Sequence, residues 1–154
     1  MTSRYAQGTT VSSDKSRAEI EATLRRYGAT SFMYGSAPDR AVIAFEAFAK
    51  RVKFELPMPD PKAKEFTRTP GRNHLRSPAD QAKAYEQAVR QKWRALALCV
   101  KAKLEAVESG ITTFEAEFLA HIVLPNGRTV HDEVSPTLAI AYASGKVVPL
   151  LGNF

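Results

Sequence analysis

RAVIAFEAFAKRVKFELP, residues 40–57, is the stretch of sequence that decides the fold. Its last seven residues, RVKFELP (51–57), alternate between charged and apolar side chains, which indicates a strand with one buried and one solvated face. A second strand-like run, RAVIAFEAF (40–48), precedes it. A third, SFMYG (31–35), comes before the turn-forming residues SAPD (36–39). The sequence therefore predicts a three-stranded antiparallel meander.

Helices are predicted on both sides of this sheet. Ser12 or Ser13 caps a first helix through KSRAEIEATLRRYG (15–28), which ends at its glycine. After the sheet, SPAD (77–80) combines a serine cap, a proline in the first turn and an aspartate near the positive end of the helix dipole. No breaker interrupts residues 78–109, and a helix of that length spans about 45 Å. Such a helix projects, packs against a partner chain or kinks.

The apolar residues of this long helix recur every three or four positions, which is typical of a stripe that faces a core. They are Val89, Trp93, Leu96, Val100, Leu104 and Val107. Trp93 has an alternative interpretation as a side chain that stacks on a nucleic-acid base, but its place on the stripe favours the core.

The predicted fold is α+β, as a single domain over residues 13–154 behind a short flexible leader (1–12). TTFE (112–115) has the pattern of a capping box and predicts a third helix. A last helical piece is predicted within residues 135–145. In chain order the parts are an N-terminal helix, a three-stranded antiparallel meander, a basic arm (57–77), a long helix (78–109) and a helical C-terminal subdomain (110–154).

The composition is that of a globular protein with a positive charge concentrated in one segment. Of 154 residues, 44% are hydrophobic and 25% charged, which argues against a disordered chain. The net charge is +6. Residues 60–94 hold nine lysines and arginines against four acidic residues, and so carry +5 of that total. A basic segment of this kind favours an anionic partner.

The sequence also predicts the compartment. A single cysteine, Cys99, excludes an internal disulfide and fits a reducing environment. No apolar run approaches the roughly 20 residues that cross a bilayer, and the first sixteen residues have no apolar region of a secretory signal. We therefore expect a cytoplasmic protein with no membrane partner.

KEFTRTPGRNHLRSP, residues 64–78, places a lysine or arginine at every fourth position, and Pro70-Gly71 prevents one continuous helix. In an extended chain such positions point the same way, about 13 Å apart. The four cations would then follow one phosphate backbone and continue onto a basic stripe of the long helix, although Glu86 can pair with Arg90 there. The predicted nucleic-acid contacts are Lys62, Lys64, Phe66, Arg68, Arg72, His74, Arg76, Lys83, Arg90, Arg94 and Lys101, with the two aromatic side chains stacking on bases.

Catalysis is not predicted, and neither is a metal or a cofactor. His74, His121 and His131 lack ligand spacing, and one cysteine cannot build a structural zinc site. The chain has no phosphate-binding glycine loop and no nucleophile elbow. Glu46 and Glu55 on neighbouring strands could hold a metal for nuclease chemistry, but the lysine spacing expected with them is missing.

Four stretches carry a resemblance to a known group: YGATSFMYGSAPDRAVIAFEA, VKFELPMPD, TRTPGR and YEQAVRQKWRALALCVKAKLEAVESGITTFEAEFLAHIVLPNGRTV. Together they resemble a family of short uncharacterised proteins of tailed bacteriophages and prophages, over most of residues 20–130. The resemblance implies a viral or mobile-element protein that acts inside a bacterium, and it carries no activity or site residues.

The order of elements is also similar to two nucleic-acid-binding folds. Double-stranded-RNA-binding domains share the order helix, three strands, helix, but SPADQAK (77–83) does not reproduce the lysine run that begins their second helix. A meander followed by a long helix is similar to the core of phage single-strand annealing proteins. That likeness implies DNA binding in a basic groove beside the helix and assembly through neighbouring subunits, and it fits better.

The sequence thus predicts a non-enzymatic protein that binds nucleic acid, most readily single-stranded DNA, in phage recombination or replication, as a homo-oligomer and with annealing activity. The alternative is an interaction protein that docks on a host protein. Its apolar contacts would then be Phe114, Phe118 and the C-terminal VVPLLGNF (147–154).

Overall fold

The computed structural model describes residues 6–151, so the start of the predicted leader and the last three residues of the apolar C-terminus lie outside the described part. The elements are α1 (Ser13–Arg26), β1 (Ser31–Ala37), β2 (Arg40–Ala47), β3 (Lys50–Pro57), α2 (Lys64–Thr67), α3 (Pro78–Glu108), α4 (Phe114–Phe118), a 3-10 turn (Leu119–His121) and α5 (Val130–Ser144). The fold is α+β, with the predicted order of helix, antiparallel sheet, long helix and C-terminal helices.

The sheet is an antiparallel meander in the order β1-β2-β3. Phe32 of β1 pairs with Phe45 of β2, which pairs in turn with Val52 of β3. The side chains of Ile43, Phe45 and Val52 are buried on the face that carries the helices. On the opposite face Met33 is 63% exposed. The alternation in RVKFELP therefore predicted the buried face correctly.

The two edges of the sheet differ. Outside β3, the chain after the 3-10 turn makes an isolated bridge between Ile122 and Val52, and the Val123 amide donates to the Arg51 carbonyl at 2.8 Å. Outside β1, the described residues place no further strand or bridge. One edge is covered, whereas the other is open.

The long helix α3 supplies the second half of the core. Its apolar stripe is confirmed as core, because Trp93, Leu96, Val100 and Leu104 are all buried against the sheet and α1. The indole of Trp93 is 2% exposed and lies 5.6 Å from the ring of Tyr34. The interpretation of this tryptophan as a base-stacking residue is therefore wrong.

The expected start of α5 is wrong. The sequence places Pro136 in its first turn, but the helix begins at Val130, where Thr129 and Asp132 form a reciprocal capping box. A proline inside a helix leaves the carbonyl four residues earlier without its N–H partner. That carbonyl belongs to Asp132, and it accepts instead from Nη2 of Arg128 at 2.8 Å. The helix therefore continues through the proline.

The third predicted helix is shorter than expected and its cap lies one residue later. Thr113, not Thr112, is the N-cap, and its hydroxyl accepts from the Ala116 amide at 3.2 Å. Phe114 and Phe118 on this short helix are both buried. No helix within residues 6–151 is long and apolar enough to span a membrane.

Candidate nucleic-acid interface

The segment predicted as an extended basic arm is folded. A single helical turn, α2, is followed by a small hairpin in which Arg68 and Leu75 form an antiparallel bridge. The Thr69 amide donates to the His74 carbonyl at 2.8 Å, which closes the hairpin near its tip. Gly71 and Asn73 adopt the left-handed conformation that so tight a turn requires. We call residues 67–76 the basic hairpin.

The four cations spaced four residues apart therefore do not lie in one straight row. Lys64 begins α2, Arg68 and Arg76 lie on the two opposed arms of the hairpin, and Arg72 lies at its tip. The expectation that all four point the same way along an extended chain was wrong. The hairpin instead gathers the three arginines in one compact turn of chain.

Two of these arginines also hold the hairpin together. Nη1 of Arg68 donates to the Asn73 carbonyl at 3.1 Å, and Nε of Arg76 donates to the Arg68 carbonyl at 3.1 Å. A guanidinium has five N–H donors, so each side chain keeps donors that no contact within the hairpin uses. The Arg72 side chain makes no hydrogen bond or ion pair with any other described residue. A ligand could therefore bind Arg72 without breaking a hydrogen bond that holds the hairpin together.

Phe66 was predicted to stack on a base, and the structure contradicts this. Its ring is 3% exposed and meets the ring of Tyr85 edge-on, with centroids 5.6 Å apart. The contact fixes α2 to the first half of α3. His74, the other predicted stacking residue, is exposed on the hairpin, and its backbone amide donates to the Thr69 hydroxyl at 3.0 Å.

The predicted basic stripe along α3 divides into paired and unpaired cations. Arg90 pairs with Glu86 at 2.5 Å, as its spacing predicted. Nη1 of Arg94 lies 2.5 Å from a carboxylate oxygen of Glu19 on α1, so this arginine is used within the fold. Lys83 and Lys101 are exposed on the same helix. Neither has a carboxylate within ion-pair distance in the described part of the chain.

The distribution of ion pairs separates the hairpin region from the rest of the molecule. Within residues 6–151, every cation from Lys62 to Lys83 lacks a carboxylate partner, and these are Lys62, Lys64, Arg68, Arg72, Arg76 and Lys83. Elsewhere in the described part most cations are paired, namely Arg17, Arg25, Arg26, Lys50, Arg51, Lys53, Arg90, Arg94, Lys103 and Arg128. Unpaired charge is therefore concentrated at the hairpin.

One cation near this surface was not among the predicted contacts. Lys92 on α3 lines a groove of about 330 Å³ together with Glu65 and Phe66 of α2. The sequence did not predict that Lys92 lines this groove, because the groove forms only where Phe66 packs α2 against α3. The number of residues between Phe66 and Lys92 does not indicate that the two side chains lie close together.

The carboxylates on the sheet are used within the fold. Glu46 pairs with Arg51 at 2.9 Å and Glu55 with Lys53 at 3.4 Å. Among the described residues, no three histidine, cysteine, aspartate or glutamate side chains lie close enough to hold a metal ion.

His121 has a structural position. Its ring stacks on Phe54 with centroids 4.1 Å apart, beside a cleft of about 360 Å³. Partial burial lowers the pKa of His121 below its ordinary value, and the positive charges of Lys103 and His131 lower it further. These effects disfavour the protonated form of the histidine, whose ring is part of the contact between β3 and the 3-10 turn.

Comparison with known proteins adds no family to these observations. No family model matches the chain, and neither a curated protein nor a solved structure matches it.

Proposed function

We propose that this protein binds nucleic acid through the basic hairpin and the adjoining first half of α3, and that single-stranded DNA is its preferred ligand. The observation that supports this most strongly is the run of cations from Lys62 to Lys83 without carboxylate partners. A folded chain normally uses such charges in ion pairs or leaves them dispersed. Here they stand together on one folded unit, where a polyanion would supply the missing counter-charge.

The hairpin is suited to a phosphate backbone because its arginines are held in place before a ligand binds. The guanidinium groups of Arg68 and Arg76 are fixed by hydrogen bonds to the hairpin backbone and retain unused donors. Pre-ordering reduces the side-chain entropy that binding would otherwise cost. Arg72 and Lys64 add further positive charges on either side. Contacts of this kind position the protein on any sequence and do not select one.

The preference for a single strand comes from the hairpin itself. An unpaired strand can turn its bases onto an exposed ring or a guanidinium plane, and His74 and Arg72 present both at the same tip. Burial of Phe66 leaves His74 as the aromatic partner in this part of the chain. We propose non-enzymatic strand binding, in the recombination or replication of a bacteriophage, with annealing of complementary strands as its outcome.

The test is the binding of a fluorescently labelled oligonucleotide, followed by anisotropy at several salt concentrations. Arg72→Ala should weaken binding for all base sequences and reduce the slope of log K against log salt by about 0.7 for a single strand. Arg25→Ala is the matched control, because that arginine lies on α1, is largely exposed and only pairs with Glu21 one turn away. A salt-independent affinity, or equal losses in the two variants, would contradict the proposal.

A second candidate function is docking on a host protein. None of the residues of α5 is buried, and Leu138, Ile140 and Tyr142 are exposed on it, as is Val147 behind it. Phe114 and Phe118, predicted as contacts for this role, lie in the core instead and cannot take part. If docking is the function, the double change Ile140→Glu and Tyr142→Glu should abolish capture of a host protein while oligonucleotide binding persists.

A further inference from the structure

The outer edge of β1 has none of the features that normally keep a sheet edge from pairing. Ser31–Ala37 contains no charged residue and no proline, and every residue in it except Phe32 is exposed. Antiparallel pairing with β2 uses the backbone groups of alternate residues, so the other N–H and C=O groups of β1 point away from the sheet. Such an edge is a template for one more strand.

The opposite edge of the sheet, formed by β3, is protected, so only β1 offers an unprotected edge in the described part of the chain. β3 carries Arg51, Lys53 and Glu55, and it is capped by the bridge to Ile122. Charged side chains and a covering segment are common ways in which proteins protect an edge strand. β1 has seven neutral residues and no covering segment among residues 6–151.

We propose that β1 pairs antiparallel with β1 of a second copy of this chain, which joins two three-stranded sheets into one of six strands. A two-fold axis sets each residue against the same strand of the other copy, so any charge on the strand would meet its own like. A chain with net charge +6 approaches a second copy of itself most readily through a neutral surface. β1 is such a surface, and pairing would also cover the exposed side chains of Met33 and Tyr34.

The proposed pairing has a definite register. Pairing centred on Tyr34 sets Met33 opposite Gly35 of the second copy and Phe32 opposite its Ser36. Phe32 and Met33 then each meet a small residue, while Tyr34 meets Tyr34 of the second copy. An ideal Cβ built on Gly35 has no atom within 4 Å, so the space that Met33 of the other copy would occupy is empty in the single chain. A shift by one or two residues would no longer place Met33 opposite Gly35.

Charge substitutions at this pair of positions test both the interface and its register. Gly35→Lys and Met33→Glu should each raise the dimer dissociation constant at least tenfold, because each sets a charge against an apolar or empty site of the other copy. The double variant should restore dimerisation, since the introduced carboxylate of each copy then faces the introduced ammonium of the other. Sedimentation velocity without nucleic acid measures this, against the 17.0 kDa mass of one chain.

The controls separate pairing from folding. Ala102→Lys adds the same charge on the exposed side of α3 and should leave the dimer unchanged. Gly35 has no positive φ and Met33 is largely exposed, so thermal unfolding of either variant should match that of the parent chain at equal dilution. A parent chain that stays monomeric at every concentration would overturn the proposal and leave the edge to a strand of another protein. A dimer insensitive to both single changes, or a double variant no tighter than either, would overturn it too.

Discussion

Nη1 of Arg94 in the middle of α3 lies 2.5 Å from Oε2 of Glu19 on α1, and this ion pair joins the two helices that cover the sheet. Only 23% of the arginine side chain and 36% of the glutamate side chain are exposed. Solvent therefore screens the pair less than it screens the other pairs of α1, such as the one between Arg25 and Glu21.

Replacement of Arg94 should therefore affect folding more than binding. Arg94→Ala should lower the free energy of unfolding by up to about 1 kcal/mol, and a double-mutant cycle with Glu19→Ala should show coupling of similar size. Lys101→Ala on the same helix should leave unfolding unchanged, which urea titration can check. Oligonucleotide affinity that falls after Arg94→Ala without any loss of stability would show that Arg94 is a contact after all.

The arginines of the basic hairpin should differ in whether they stabilise the hairpin. Arg68→Ala removes the hydrogen bond to the Asn73 carbonyl and should speed amide exchange at Thr69 and Arg76, whose N–H groups close the hairpin. Arg72→Ala should leave these exchange rates as they are, although on the proposed function both variants should weaken oligonucleotide binding. Equal exchange in all three proteins would mean that the guanidinium of Arg68 does not brace the hairpin.

Phe66 should behave as a core residue. Phe66→Ala should lower the free energy of unfolding by about 3 kcal/mol, because it removes a buried ring and leaves a cavity beside Tyr85. Phe66→Leu should cost much less, since it retains most of the apolar volume. Leu75→Ala on the hairpin is the control, because that side chain is 68% exposed and its loss should change little. Chemical denaturation of the three variants gives the comparison.

His121 should make stability depend on pH near neutrality. Its pKa in the folded protein lies below the ordinary 6.5, so the unfolded chain binds more protons in the interval between the two values. The free energy of unfolding is therefore highest above about pH 6.5 and falls as the pH drops through that value. Asp132, whose pKa is lowered by hydrogen bonds from Thr129, acts only at more acidic pH.

The measurement is urea denaturation at several pH values on both sides of the ordinary histidine pKa. His121→Gln should flatten the dependence, whereas His74→Gln on the exposed hairpin should preserve it. If His121→Gln keeps the full slope, another group is responsible and the stacked ring on Phe54 is not the origin of the effect.

Local patterns predicted most of the fold because each is set by neighbours in sequence. The alternation in β3, the cap at Ser77 and the apolar stripe through Trp93 all appear in the structure as expected. These patterns mispredicted the start of α5, because a proline such as Pro136 usually lies in the first turn of a helix. The compensating bond from Arg128 to the Asp132 carbonyl depends on a side chain that local pattern rules do not consider.

The candidate site was predicted less well than the fold, for a related reason. Which cations cluster depends on how residues 64–76 turn back on themselves, and that depends on the left-handed turn at Gly71 and Asn73. Which cations are free depends on contacts far along the chain, such as the one from Arg94 to Glu19. Sequence spacing identified the basic segment but not its shape, and it could not tell that Phe66 is a core residue.

The length of α3 has a consequence for how far a bound ligand can reach. The basic hairpin adjoins its first residue, whereas the turn into α4 follows its last, and a helix of 31 residues is about 46 Å long. A single small ligand on the basic hairpin would therefore not reach the opposite end of α3.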